Sequence, residues 1–238
     1  MEPTAWVIGG GTGIGRAAAA ALAETHAVVV SGRRRSELEA TKAAITANGG
    51  RASALPADAG DPASIRAARE LIEGTVDVLV YTAGTNVPNR FWADTTPEDF
   101  ARVVDVNLNG AVRSVHSVLD GMREAGGGLI ILVSSWAAWR HSPGAGAAYS
   151  ASKTAMGSLA ESLNAQEGPN GIRATHLCPG EVDTDILQSR PVVPGPAERE
   201  LMLTADDLGA TVRFLTGLPA RVCVNELVIT PTANTSYR

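Results

Sequence analysis

The chain has only two cysteines in 238 residues, Cys178 and Cys223, and they stand alone. That excludes a disulfide framework and a paired-cysteine metal site, so both are expected to be buried structural thiols and no metal is expected. Aromatic side chains make up 4% of the chain, too few for an aromatic-rich all-β core. There is no basic surplus: 20 Lys and Arg against 25 Asp and Glu give a formal charge of −5, the wrong sign for a nucleic-acid partner. Long apolar runs are missing too. The longest, Ala17–Ala23 and Leu129–Val133, are far too short to cross a bilayer, and Met1 to Thr4 lack the basic region of a secretory leader. A soluble, cytoplasmic protein acting on small molecules is expected, with no membrane partner.

Alanine, glycine and valine dominate, which suits helices packed closely on a sheet. Short β-branched runs recur at Ala5–Ile8, Ala27–Val30, Val76–Tyr81, Leu129–Val133, Ile172–Leu177 and Leu227–Ile229, with Arg51–Leu55 a weaker seventh. Runs that are apolar throughout predict strands covered on both faces. Between them lie Ala-rich stretches of helical period. Ser36 with Glu39 reads as a capping box, and Asp61-Pro62, Thr96-Pro97 and Thr204 each open a helix. The helix after Thr96 is expected to run to Arg123, and another spans Tyr149–Glu167. The alternation predicts an α/β fold: a Rossmann-type doubly wound parallel sheet of about seven strands with helices on both faces, in one domain over residues 1–238. Gln188–Glu200, with Pro191, Pro194 and Pro196 and little periodicity, reads as a mobile loop; a substrate loop is expected around 186–203.

Gly9-Gly10-Gly11-Thr12-Gly13-Ile14-Gly15 lies between the first strand and a helix. Glycines there allow a tight turn and close approach of a pyrophosphate to the helix N-terminus. A plain strand–helix turn needs fewer of them. After the second strand, where a carboxylate would hold an adenosine ribose, the chain instead reads Gly32-Arg33-Arg34-Arg35. Guanidinium groups match phosphate oxygens, so NADP(H) is expected over NAD(H), the alternative being a solvated arginine cluster.

Tyr149 and Lys153 are four residues apart on one helical face, where an ammonium would lower a phenol's pKa into range for acid–base work. Ser134 and Ser135 follow a strand, where hydroxyls face the ligand crevice. Asn107 falls inside the long helix, as a satisfied amide, a bend or a water anchor.

Together these residues resemble the short-chain dehydrogenase/reductase family, in its compact single-domain branch. The resemblance runs from Ala5 to about Ile229. It rests on Gly9, Gly13, Ile14 and Gly15, then Asp58, Ala83-Gly84, Asn107, Ser135, Tyr149 with Lys153, and Pro179-Gly180 with Thr184. It implies hydride transfer between a nicotinamide and a ketone/secondary alcohol pair. Tyr149 would be the general acid or base, Lys153 would lower its pKa and hold the nicotinamide ribose, and Ser135 would polarise the substrate oxygen. Asn107 would anchor a water that links Lys153 to solvent. Thr12 lies within the phosphate loop, Asp58 and Ala59 would meet the adenine, and Pro179, Gly180, Val182 and Thr184 would flank the nicotinamide.

Two departures stand out. Ile8-Gly9 replaces the family's usual Thr-Gly, and Tyr81-Thr82-Ala83-Gly84 replaces Asn-Asn-Ala-Gly, removing amides that brace sheet and cofactor. Substrate contacts are expected from Trp136, Trp139, His141 and Asn86, with Trp92 and Arg90 nearby; a solvent-facing role is the safer reading of Arg90. Small residues on the Tyr149 helix (Ala151, Ala155, Gly157, Ser158 and Ala160), together with the contacts of relatives, imply a homo-oligomer, dimer or tetramer. The rivals are an NAD(H)-linked alcohol dehydrogenase of the same fold and a non-catalytic nucleotide-binding sensor.

Overall fold

The computed structural model describes residues 2–234 and contains one seven-stranded parallel sheet. The strands are β1 (Thr4–Ile8), β2 (Ala27–Gly32), β3 (Ala52–Pro56), β4 (Val78–Tyr81), β5 (Gly128–Val133), β6 (Ile172–Pro179) and β7 (Glu226–Ile229), in spatial order β3-β2-β1-β4-β5-β6-β7. The chain winds outward from β1 on one side, then returns to start β4 on the other. A crevice therefore opens at the C-terminal ends of β1 and β4, the switch point at which such sheets hold ligands.

Alternate strand residues point to opposite faces. Trp6, Ile8, Leu79, Tyr81, Ile130 and Leu132 pack with α3 (Pro62–Glu70), α5 (Gly110–Ala125) and α7 (Ala147–Glu167). Val7, Val28, Val30, Val80, Ile131 and Val133 pack with α1 (Gly13–Leu22), α2 (Arg35–Ala47) and α9 (Ala205–Thr216). This is the three-layer arrangement expected from runs apolar on every residue. The remaining helices are α4 (Pro97–Val104), α6 (Trp136–Trp139) and α8 (Pro196–Arg199).

Three of the expected caps form. Asp61 accepts from Ala63 N at 2.9 Å, Thr96 from Asp99 N at 3.1 Å, and Thr204 from Asp207 N at 3.3 Å. The Ser36–Glu39 box does not form: α2 begins two residues earlier, with Arg34 at its N-cap and no side-chain cap. The helix expected from Thr96 to Arg123 is interrupted by a π-helical turn, Asp105–Asn109, between α4 and α5. Nor is 186–203 plain loop. It holds a 3₁₀ turn, Asp185–Ser189, and α8, and the bridge between Val182 and Leu203 ties its two ends together. Cys178 is buried as expected, but Cys223 is exposed beside Asn225.

At the far end of the molecule from the crevice, Arg123 on α5 donates through Nε to Glu167 Oε2 at 3.0 Å at the end of α7. Arg123, helped by Asn170, holds the Glu167 carboxyl down at about 2. Ordinary glutamate titrates near ~4.3, so this pair stabilises the fold fully above that pH and loses its contribution as pH falls towards 2. Melting temperature followed from pH 6 to 2.5 should therefore fall less steeply in Glu167→Gln than in the parent. Parallel curves would remove the pair from the acid response.

Candidate active site

The turn after β1 is built around glycine. Gly9 has φ of +91°, and a Cβ there would sit 2.5 Å from Thr82 Oγ1 and 2.7 Å from Ala83 N. A Cβ on Gly15 would meet Gly9 O at 2.1 Å. The loop is braced from outside by Arg16, whose Nε and Nη2 donate to Gly11 O at 3.0 and 2.7 Å. Thr12 is the N-cap of α1 but makes no side-chain cap, and the first turn carries no acid. The positive end of α1 thus faces the crevice with no acid in its own first turn.

A cavity of about 520 Å³ lies over this turn, lined by Gly9, Thr12, Gly13, Ile14 and Gly15, by Arg33 and Arg34, by Asp58 and Ala59, and by Ala83, Gly84 and Thr184. All of the cofactor residues expected before Tyr149 are thus gathered along one groove. Arg34 reaches across it and donates through Nη2 to Thr12 Oγ1 at 3.2 Å. Asp58 Oδ1 accepts from Gly60 N at 2.9 Å. Glu37 also lines the groove, a carboxylate that the sequence reading passed over, and pairs with Arg16 at 2.9 Å.

The replaced amides have successors. Thr82 Oγ1 donates to Ile8 O at 2.8 Å, joining β4 to β1, and the Tyr81 hydroxyl, fully buried, donates to Val106 O in the π turn. Sheet bracing is therefore retained by different chemistry.

Asn107 sits in that π turn with no solvent exposure. Its Oδ1 accepts from Thr85 N at 2.7 Å, while Nδ2 donates to Thr85 O and to Ser152 Oγ, both at 3.1 Å. The amide thereby fixes the segment after β4 against α7. A Cβ on Gly84 would stand 3.5 Å from Lys153 Nζ and 3.6 Å from Asn107 Oδ1, so these two polar atoms flank the space above Gly84.

A second cavity, of about 450 Å³, shares Ile14, Thr82, Gly84 and Thr184 with the first and continues from it. Ser135, Tyr149 and Lys153 line it together with Pro179, Gly180 and Val182. Ser135 caps α6, accepting from Ala137 N at 3.2 Å, and its side chain faces Tyr149 closely enough to pull the phenol's pKa down. Ser134 also lines the cavity, but its hydroxyl proton is committed to Lys153 O at 2.8 Å.

The electrostatics differ from expectation. Burial raises the Tyr149 pKa above the ordinary phenol value; the Ser135 side chain, then the guanidinium groups of Arg190 and Arg90, pull the other way. Lys153 is not among these influences. Its Nζ donates to Val133 O at 2.9 Å and lies 5.9 Å from the centre of the Tyr149 ring. Buried there, it is pushed down to about 8. The spacing of the two residues is as read, but the ammonium is turned under the ring towards β5.

Among the substrate candidates, Trp136 and Asn86 line the second cavity, and Asn86 donates to Ala145 O at 2.9 Å. Trp139 does not line it. Its ring packs on Trp136 at 5.1 Å and lies under the Arg140 guanidinium at 4.7 Å, on the outer side of α6. His141 is exposed and also outside the lining, as is Trp92 at 81% exposure. Arg90 is the opposite case: expected in solvent, it is 5% exposed and lines the cavity, as does Arg190. No local pattern marks Arg90, because its burial is made by loops distant in sequence.

The comparisons with known proteins agree with this geometry. Residues 3–192 match the short chain dehydrogenase family. L-rhamnose 1-dehydrogenase (NAD(P)(+)) of Azotobacter vinelandii is 36% identical over 242 aligned positions, 93% of this chain and 92% of that one. Glycine betaine reductase ATRR of Emericella nidulans is 32% identical over 235 positions and the probable oxidoreductase EphD of Mycobacterium tuberculosis 35% over 201. This chain aligns over 94% and 82% of its own length with these two, yet spans only 18% and 34% of theirs. An alcohol dehydrogenase of Thermococcus sibiricus, solved with 5-hydroxy-NADP, superposes with a TM-score of 0.87 at 28% identity, covering 98% of this chain and 97% of its own. With four-fifths of its length matched by that family and its groove, serine and tyrosine disposed as above, the chain belongs to the short-chain dehydrogenase/reductase family.

Proposed function

We propose that this protein is an NADP(H)-dependent oxidoreductase that interconverts a ketone and a secondary alcohol. The observation that carries the reading is the convergence of Ser135, Tyr149 and Lys153 on one cavity that is continuous with the glycine groove. A dinucleotide fits what the residues offer. The turn packs too tightly at Gly9 and Gly15 to admit a Cβ, the first turn of α1 carries no acid, and the groove is lined by Arg33 and Arg34 where a 2′-phosphate would lie.

The bound nicotinamide would supply the hydride; the protein supplies orientation and one proton. In the reducing direction Ser135 donates a hydrogen bond to the carbonyl oxygen and Tyr149 delivers the proton as negative charge develops there. In the oxidising direction the same phenol, deprotonated, accepts the hydroxyl proton. A raised phenol pKa keeps Tyr149 protonated at neutral pH, which favours the acid role and hence reduction. Lys153, at about 8, changes charge near neutrality and is suited to pass a proton on. The space above Gly84 between its Nζ and Asn107 Oδ1 suits a bridging water, since a carbonyl oxygen carries a second lone pair. Asp58 and Ala59 would meet the adenine; Pro179, Gly180, Val182 and Thr184 would border the nicotinamide. The whole chain would act as one domain, as a cytoplasmic homo-oligomer. Gly157 and Ala160 on α7 are already used within the chain, against His176 and the core, so exposed Ala151 and Ser158 remain for a partner helix.

One observation favours NAD(H) as a second reading: Glu37 lines the groove where a carboxylate could accept from a ribose hydroxyl. Its pairing with Arg16 argues against it. Changing Arg33 and Arg34 together to Ala should weaken NADPH binding by about tenfold or more, each lost charged hydrogen bond being worth roughly 1.5–3 kcal/mol, with NADH binding altered less than twofold. Fluorescence titration of both cofactors decides it, and equal losses would assign the groove to NAD(H).

A further inference from the structure

Arg90 is a cation with no anion. It is 95% removed from solvent, and among the described residues no carboxylate lies within ion-pair distance of it. Its Nε donates to Val87 O at 2.7 Å and its Nη2 to Ser189 O, which leaves the Nη1 edge unbonded. Its stem is fixed from behind by Gly146, where φ is +81° and a Cβ would meet Arg90 Cβ at 2.7 Å. Burying a charge without a counter-ion is costly, and carbonyl dipoles offset the cost only in part. Burial and the neighbouring Arg190 both press the guanidinium towards losing its proton, which at arginine's basicity it does not do.

The surroundings repeat the pattern. The charged side chains that line this cavity are Arg90, Lys153, Arg190 and Glu181, three cations and one carboxylate, in a chain of net charge −5. Glu181 is engaged with Arg190 at 2.9 Å, so nothing is left to balance Arg90. The dinucleotide phosphates do not supply the anion. Arg90 is absent from the groove over the glycine turn and stands beyond Tyr149, on the substrate side.

We propose that the substrate is an oxo acid or hydroxy acid whose carboxylate seats on the free edge of Arg90, facing Arg190, while its carbonyl or hydroxyl lies at Ser135 and Tyr149. This rests on the oxidoreductase reading for the placement of the carbonyl; the anion seat itself does not. A planar guanidinium edge matches a carboxylate in a way that a neutral ketone or sugar cannot exploit. Because Arg90 joins the segment after β4 to Ser189 in the 3₁₀ turn, an acid bound there touches both walls of the cavity at once.

The test reads binding rather than turnover. Protein saturated with NADP⁺ is titrated calorimetrically with benzoylformate, levulinate and 5-oxohexanoate, each beside its methyl ester, and with 2-oxopropylphosphonate. At least one acid should bind tenfold or more tighter than its ester. Arg90→Gln should bring the two to parity while leaving the ester and NADP⁺ within twofold of the parent. If Arg90→Gln melts early, Arg190→Gln, which alters a half-exposed side chain, should still reduce the preference for the acid at least threefold.

Parity of acids and esters in the parent overturns the proposal, as does an equal loss of both in Arg90→Gln or an unchanged preference in Arg190→Gln. The phosphonate binding tighter than every acid overturns the carboxylate in favour of a phosphate ester. A protein that discriminates acids from esters but reduces no ketone refutes the oxidoreductase reading and leaves the anion seat standing. One that reduces ketones and ignores the carboxylate does the reverse.

Discussion

Replacing Tyr149 by Phe should lower kcat at least 10³-fold with any ketone the parent reduces, and should leave the dissociation constant for NADPH within about threefold. The change removes one oxygen from a side chain whose ring is otherwise packed by Val87, Val103 and Ala148, so the fold has little reason to respond. What it removes is a hydroxyl that faces Ser135 and feels the Arg190 and Arg90 charges. General acid catalysis contributes roughly 10²–10⁴-fold, and here the same atom also orients the substrate oxygen. Stopped-flow reduction and cofactor fluorescence quenching on one preparation give both numbers. Turnover that survives within tenfold would remove the phenol from the proton path, leaving Lys153 or a water in its place.

The second large effect is structural. Gly15→Ala puts a methyl group 2.1 Å from Gly9 O and 2.5 Å from Thr82 Oγ1. Neither neighbour is the free end of a flexible side chain. Gly9 is backbone, and the Thr82 hydroxyl is held at 2.8 Å by Ile8 O. The glycine turn must move away from β4, which takes the α1 N-terminus with it. Overpacking of this kind costs about 1–3 kcal/mol, or roughly 3–10 °C in melting temperature at this chain length. Dinucleotide affinity should fall tenfold or more, because the displaced atoms are those that line the groove. A variant that melts with the parent and binds NADPH normally would show that the turn has slack that its contacts deny.

What the sequence made legible follows from which interactions are local. The inner strands could be placed because residues covered on both faces are mostly apolar, whereas β3, part-exposed at the sheet edge, left a weaker signal; Asp61, Thr96 and Thr204 could be placed because a cap and its amide lie within three residues. Ser135, Tyr149 and Lys153 were nameable from spacing and resemblance, but their electrostatics were not. Helical spacing fixes where Cβ atoms lie and says nothing of where a four-carbon stem ends, so the turn of Lys153 onto Val133 O was hidden. Arg90 was misjudged for the same reason. A charged residue in a loop is exposed by default, and only the meeting of Gly146, Val87 and Ser189, up to 99 residues apart from it, buries this one. The Ser36 box fails because Arg34 takes the N-cap position, a shift of two residues that a propensity pattern does not resolve.

The π turn at Asp105–Asn109 was likewise invisible, since a single surplus residue leaves the apolar count of the flanking segments unchanged. Its effect is angular. One extra residue advances every later side chain by about 100° around the axis, so α4 and α5, continuous through this turn, present different meridians, α4 to α7 and α5 to the strands. Asn107 and the carbonyl of Val106 occupy the sector where the two settings meet, one serving Thr85 and Ser152 and the other serving Tyr81. Deleting a single residue from this turn would restore an even helical pitch, and either α5 would rotate its apolar stripe off the strands or Asn107 would swing out from between β4 and α7. The surplus residue is thus what lets one rod serve two orientations, one set by the core and the other by the cavity.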